Sequence, residues 1–350
     1  MQKLFHKEKP LIGLDINTTD IKVMAIDPRK RTVISYGVID VDSKKMKTAL
    51  EEDPAYLTAS IKTLLSDKII GELPSDHAVV SIPTSRTYAR TFTIPAASEK
   101  NLQEAVELEV GQYVPIPVSL LYIDYEVIER TKETLTITMS AVPKITVDNI
   151  LQACDEAELT VNAIEPGINS IARLLKATEG GTLTTVIVDI GPSQTDIAVL
   201  DNTIRVTGGT TVGGHTFTLS IAKHLGVTLE NAHQLKVLNG LNPGPRQKKM
   251  STALEPNLKQ ITSETRRVIR YYNERIANGV KIEQLLIVGG GSNVPGIGEY
   301  FTNDLLMPAR VASPWQELNF GELEQPAKQF RPRYISVAGL ASLSSKEIWQ

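Results

Sequence analysis

Apolar residues along the chain fall into short blocks closed by Gly, Asn, Asp or Pro, and between those blocks they recur at helical spacing. The blocks at 11–16, 21–27, 32–41, 77–82, 88–94, 121–130, 135–141, 183–190, 195–200 and 285–288 are continuous or alternating, the patterns of buried and half-buried strands. Stretches 54–69, 98–113, 146–157, 216–225 and 263–276 repeat apolar residues three and four apart, which predicts amphipathic helices. Ser98 is the expected N-cap of the second, which stops before Pro115 and Pro117. Strands and helices mixed throughout predict an α/β protein.

Two of the blocks repeat one plan. Residues 11–26 read as an apolar strand, Asp15-Ile16, a polar turn, Asp20-Ile21 and a second strand; residues 186–200 do the same with Asp189-Ile190 and Asp196-Ile197. Two such hairpins half a chain apart predict two similarly built lobes whose turns point at something shared. Asn17, Thr18 and Thr19 in one turn, and Gly191, Pro192, Ser193 and Gln194 in the other, would gather backbone N–H groups and hydroxyls, the chemistry of anion capture. Asp15 and Asp189 at the strand ends would hold the waters around a Mg²⁺, and Lys22 would set a positive charge on phosphates. Taken singly, either hairpin is better explained by ordinary turn propensity.

Two glycine clusters add to the pattern. The strand at 285–288 runs into Gly289-Gly290-Gly291-Ser292, and Gly213-Gly214 stands between a strand ending near Thr211 and the helix at 216–225. Glycine there lets backbone approach a flat or anionic ligand with a helix N-terminus behind it. The spacing fits neither a P-loop nor a dinucleotide fingerprint.

Composition narrows the class. With 350 residues, 41% apolar, 22% charged and a net charge of −3, the chain is expected to form two or more domains. The same figures rule out disorder for most of the chain and count against a general affinity for nucleic acid. Cys154 stands alone, so no internal disulfide or cysteine metal cluster is expected and a reducing cytosol fits. The first ten residues lack the apolar stretch of a signal peptide, and no run reaches the roughly 18–20 apolar residues of a membrane span. Seven basic residues at 246–270 face only Glu255 and Glu264, read as a solvated helix face.

The ordered set of first hairpin, second hairpin, Gly-Gly before a helix and strand–Gly-Gly-Gly-Ser resembles the nucleotide-binding pattern of the actin-like ATPases. Within these, the chain is similar to the PilM family of cytosolic type IV pilus assembly proteins, relatives of FtsA, over roughly residues 9–343. The family-specific part is the acidic stretch ending in Tyr113-Val-Pro-Ile-Pro117, followed by Asp124-Tyr125, which looks like an inserted subdomain; Ala163-Ile-Glu-Pro166 supports it.

The resemblance implies an actin-like ATPase fold, two lobes around an interdomain nucleotide cleft, with an inserted α/β subdomain of the FtsA/PilM type. The expected divisions are 1–95 with 165–181 and 333–350 for the first lobe, 96–164 for the insertion, 182–214 with 283–332 for the second lobe core, and 215–282 for its outer part. It implies ATP with Mg²⁺, phosphates on the two turns, Gly213 and Gly214 beside the ribose, and Gly289, Gly290, Gly291 and Ser292 at the adenosine. Lys236, Glu264 and Arg267 would flank adenine and ribose, across an expected loop at 240–256. Glu165 would orient a water for hydrolysis, with Asp189 as the second catalytic candidate.

Three departures count against fast turnover. Asn17 stands where a Gly is usual and is expected to accept positive φ; Pro192 removes a backbone donor. His233 takes the place of a Glu before Leu235-Lys236 and is expected on a helix surface. The implied partner is the cytosolic N-terminal peptide of a PilN-like membrane protein, bound beside the insertion, which brings a cytoplasmic protein to the inner face of the membrane. Contacts with pilus motor ATPases and with copies of the chain are further expectations. The last seven residues lack the amphipathic membrane helix of FtsA. A sugar-kinase-like phosphotransferase and an FtsA-like division filament are the alternatives.

Overall fold

A computed structural model describes residues 10–27, 30–245 and 247–343. The first lobe opens with β1 (Ile12–Ile16), β2 (Asp20–Asp27) and β3 (Thr32–Asp40), followed by α1 (Ser43–Glu51), α2 (Ala55–Asp67), the short β4 (Ile69–Gly71) and β5 (His77–Ile82). The Asp42 carboxylate starts α1 by accepting the Lys44 and Lys45 N–H groups. The chain then leaves the lobe to form a small module of β6 (Tyr88–Pro95), α3 (Leu102–Tyr113), β7 (Leu121–Arg130) and β8 (Thr134–Pro143). It returns through α4 (Lys144–Glu156), β9 (Thr160–Pro166) and α5 (Gly167–Thr178). The second lobe comprises β10 (Thr185–Ile190), β11 (Thr195–Asp201), β12 (Thr203–Thr210), α6 (Gly214–Leu225), α7 (Leu229–Leu238), α8 (Gln247–Arg275), β13 (Gln284–Val288), α9 (Ile297–Leu305) and β14 (Ala309–Val311). α10 (Ile335–Ala341) ends the described chain.

The two lobes are wound alike. One sheet runs β4-β3-β2-β1-β5-β9; the other runs β14-β13-β10-β11-β12 and continues into β6-β8-β7. In each, a hairpin's first strand, β1 or β10, pairs antiparallel with the next strand and parallel with a later one, β5 or β13. Such inner strands are covered on both faces, hence their nearly unbroken apolar runs. The predicted repeat is present, but its register differs. Asp15 faces Lys22 and Asp189 faces Asp196 across their hairpins, so Lys22 is the counterpart of Asp196 and Asp20 is not.

Between the sheets lie α5 and α10. Ile171 and Leu175 of α5 and Val337 and Ala338 of α10 share one core with Met24 and Tyr36 of the first sheet and Ile187 and Leu286 of the second. The helices touch through backbone: a Cβ on Gly339 would fall 2.0 Å from the Ser170 carbonyl oxygen. Beside them Trp315 stacks on Phe320 at 4.9 Å, and Tyr36 meets Phe320 and Tyr334 edge-on at 5.8 and 5.6 Å. Phe320→Leu is expected to cost about 1–2 kcal/mol through lost ring contact and burial. Urea unfolding should show it as a lower midpoint at unchanged slope.

The packing moves some expected boundaries. β8 pairs along its length with β6, so the inserted module begins at Tyr88 instead of residue 96. Ile150, Ala153 and Cys154 of α4 share a core with Leu50, Leu57 and Ile61, and β9 pairs with β5, so the return segment belongs to the first lobe. Ser98 lies in a 3-10 turn (Ala96–Asn101) and caps nothing; α3 starts at Leu102. α8 begins at Gln247 and runs through Pro256, so the expected loop at 240–256 is half helix. Burial pushes the Cys154 thiol up to about 12, which leaves it inert. Among the described residues no helix is long and apolar enough to cross a membrane; the C-terminal seven residues lie outside them.

Candidate functional site

Both hairpin turns face one cleft between the lobes. Its lining takes Asp15, Asn17, Thr18, Thr19 and Lys22 from the first and Asp189, Gly191, Pro192, Ser193 and Gln194 from the second, with Gly289 and Gly290 beside them. Each turn spans four residues and closes on itself: Asn17 N–H donates to the Asp20 carbonyl and Gly191 N–H to the Gln194 carbonyl, both at 2.9 Å. The second turn rests on the start of α6, where Gly214 N–H donates to the Gly191 carbonyl at 2.9 Å and His215 N–H to the Pro192 carbonyl at 2.8 Å. Pro192 thus gives up a donor yet still anchors the helix. A Cβ on Gly213 would lie 2.6 Å from the Gly191 oxygen, so only glycine fits under this turn.

Asp15 is saturated. Lys22 Nζ lies 2.6 Å from its Oδ2, Ser81 donates to Oδ1 at 2.5 Å, Asn17 donates at 3.1 Å, and Ser336 donates as well. Burial opposes its charge, but the Lys22 ammonium and these donors outweigh it and hold its pKa below the ordinary carboxylate value. Lys22 also sits 3.2 Å from Asp20 and is itself buried, so its charge is spent on two carboxylates. Asn17 does not take positive φ; its amide donates to Asp15 instead.

Asp189 is the opposite case. Its carboxylate makes no hydrogen bond or ion pair with any described residue, and burial with the nearby Asp15 and Asp20 charges pushes its pKa up to about 6, Lys22 opposing. Asp196, its neighbour across the hairpin, is raised to about 7 by burial and by Asp189, with Gln194 donating to it at 3.2 Å. Two carboxylates facing one space and lacking a cation suit a hydrated divalent ion. A Mg²⁺ therefore fits at Asp189 and Asp196, while Asp15 has no free oxygen for it.

The residues expected at the adenosine lie just behind. Gly289 adopts φ +84°, and a Cβ there would lie 2.2 Å from Asp189 Oδ1. Gly291 approaches Gly214, and Ser292 donates to the Gly289 carbonyl at 2.7 Å. Lys236 is buried, donates to the Gly214 carbonyl and the Thr218 hydroxyl at 3.0 Å each, and is pushed down to about 8 by burial. Glu264 and Arg267 pair with each other on α8 against Gly208 of β12, away from the cleft lining. His233 is exposed on α7.

Glu165 does not reach the cleft. Both its oxygens accept from Arg173, at 2.8 and 2.6 Å, and Arg173 also donates to the Gly339 carbonyl at 3.0 Å. That pair ties β9 to α5 and α10, and an acid so engaged is poorly placed to orient a water. Arg333, which the sequence reading passed over, lines the cleft and pairs with Asp20 at 3.0 Å and Asp40 at 2.5 Å. Ser81 and Ser336 were likewise missed, because they meet Asp15 from distant parts of the chain.

A family model for the type IV pilus assembly protein PilM matches residues 13–345. The chain belongs to the PilM family. Among curated proteins, the cell division protein FtsA of Borreliella burgdorferi is 24% identical over 212 residues, covering 55% of this chain and only half the length of that protein. A PilM–PilN type IV pilus biogenesis complex contains a chain that superposes with a TM-score of 0.78 at 20% identity, over 95% of this chain and 97% of its own. MreB5 of Spiroplasma citri bound to AMPPNP gives 0.53 at 14% identity, over 95% of each chain. EutJ of Carboxydothermus hydrogenoformans gives 0.53 at 16%, over 95% and 89%. The fold is that of the actin-like ATPases, here in its PilM form.

Proposed function

We propose that this PilM-family chain is a nucleotide-binding scaffold of the type IV pilus assembly platform. ATP would lie between the lobes, its phosphates on the two turns and its adenosine toward Gly289–Ser292, Gly214 and Lys236. The observation that carries this reading is the pair of equivalent four-residue turns facing one cleft beside a glycine loop whose Cβ space is already filled. The cleft cavity is only about 70 Å³, below the roughly 300–1,000 Å³ of ligand pockets, so binding requires the lobes to part. Nucleotide then acts chiefly as a conformational effector, by differential contact with open and closed forms. With Glu165 engaged by Arg173, hydrolysis is slow or absent.

The charge of the cleft sets a condition. Its lining holds Asp15, Asp20, Asp189 and Asp196 against Lys22 and Arg333, so a triphosphate meets excess negative charge. Mg²⁺, when bound, neutralises phosphate charge; Asp189 and Asp196 would hold it through water. The partner we assign is the cytosolic N-terminal peptide of a PilN-like membrane protein, seated beside the inserted module, which would recruit the chain to the inner face of the membrane. Pilus motor ATPases and self-association complete the proposed contacts.

Calorimetric titration with ATP tests the nucleotide half: binding is expected with Mg²⁺, lost with EDTA, and weakened about tenfold in an Asp189→Asn, Asp196→Asn double variant. No binding of ATP with Mg²⁺ present would remove it, and undiminished binding in EDTA would remove the Mg²⁺ assignment alone. The scaffold half is tested by capture with immobilised N-terminal PilN-like peptides. No capture, together with ATP consumption that depends on an added metabolite, would favour a small-molecule kinase.

A further inference from the structure

A cavity that shares part of its wall with the cleft lies between the inserted module and the second lobe. It has a volume of about 410 Å³, within the range of ligand sites. It exists because β6 and β12 share a single rung, Val206 opposite Arg90, and diverge on either side of it. Among the described residues, Arg90 is the one cation in its wall. Its guanidinium carbon lies over the Tyr113 ring, 3.3 Å from the centroid, with the Tyr271 ring at 5.2 Å, and its Nε donates to the Tyr271 hydroxyl at 2.9 Å. No carboxylate among the described residues pairs with it, so both terminal nitrogens keep their donors.

That arrangement is unlike those of two other half-buried arginines. Arg173 and Arg333 are each bound to carboxylates, whereas Arg90 is immobilised by aromatic rings and carries an unspent charge. The Tyr113 ring over the guanidinium and the Tyr271 hydroxyl on its Nε hold the planar fork in place, so little freedom is lost when an anion docks. The surrounding wall is built for hydrogen bonding. Thr207 and Thr210 contribute hydroxyls, Gly208 and Gly209 bare backbone, and the buried Thr87 hydroxyl has no hydrogen-bond partner.

We propose that this cavity is a second ligand site, which takes a small molecule bearing one oxyanion, carboxylate or phosphate, on the Arg90 guanidinium. Asp196 lies in the same wall, so the anion seats at the Arg90 end. Gln194 and Asp196 belong to both this cavity and the nucleotide cleft, which places the ligand directly behind the second phosphate turn. The site stands whether or not the cleft binds nucleotide.

The test is titration of the whole chain, without nucleotide, by inorganic phosphate and separately by citrate, comparing the unaltered protein with Arg90→Gln and Ser85→Trp. Ser85 is exposed at the cavity wall and absent from the cleft lining, so its replacement obstructs this site alone. One of the two anions is expected to bind, at least about tenfold more weakly in both variants. Phosphate without citrate identifies a phosphorylated ligand, and the reverse a carboxylate. If Arg90→Gln fails to fold, Ser85→Trp decides alone. Binding of neither anion, or equal binding in the folded variants, overturns the proposal.

Discussion

Lys22→Met should destabilise the protein by about 3–5 kcal/mol at pH 7, without nucleotide present. The side chain is buried between Asp15 and Asp20, and its removal leaves two buried carboxylates short of their cation. Arg333 still serves Asp20, but Asp15 keeps only uncharged donors. The sign with pH follows from Asp15. Its folded pKa lies below the ordinary value, so in the unaltered protein its contribution is present above that value and lost as pH falls. In the variant burial is no longer opposed by Lys22 and raises that pKa, so acidification neutralises the group and the deficit shrinks. Chemical denaturation at pH 7 and pH 5 measures both effects. A variant of unchanged stability that merely binds ATP more weakly would return Lys22 to the phosphate role expected from sequence.

Gly289→Val should weaken Mg-ATP binding a hundredfold or more, on the scale of misplacing a buried charged contact. At φ +84° a β-branched residue is strained by about 1–2 kcal/mol. The larger effect is steric, because the new Cβ would collide with Asp189 Oδ1 and, at 2.6 Å, with the Ile190 carbonyl. Relief requires either turn or loop to shift, and both line the cleft. Titration calorimetry alongside a melting curve separates lost affinity from lost fold. Full affinity in a folded variant would place the nucleotide elsewhere.

What the chain order disclosed was what is local. Each hairpin carries its own strands and turn, so both were readable, as was the glycine loop after β13. Register was not: matching the two Asp-Ile pairs set Asp20 against Asp196, whereas the hairpins count equally from their turns and set Lys22 there. Glu165 was readable as an acid at the end of a strand, but its engagement depends on Arg173, one helix onward, and on how α10 lies. Arg333 is 313 residues from Asp20, and no periodicity announces such a meeting. The three-residue strands β4 and β14 are too short to show a pattern and form because a neighbouring edge is available.

The lone rung between Val206 and Arg90 has a mechanical side. The inserted module grows from the first lobe by covalent chain, yet it extends the second lobe's sheet through that one pairing. It is therefore fastened to both lobes, to one by the covalent chain and to the other by one backbone rung and the hydrogen bonds Thr207–Ala89, Thr138–Ile204 and Arg90–Tyr271. If the lobes part for nucleotide as proposed, either those links break or the module turns with the lobe that moves.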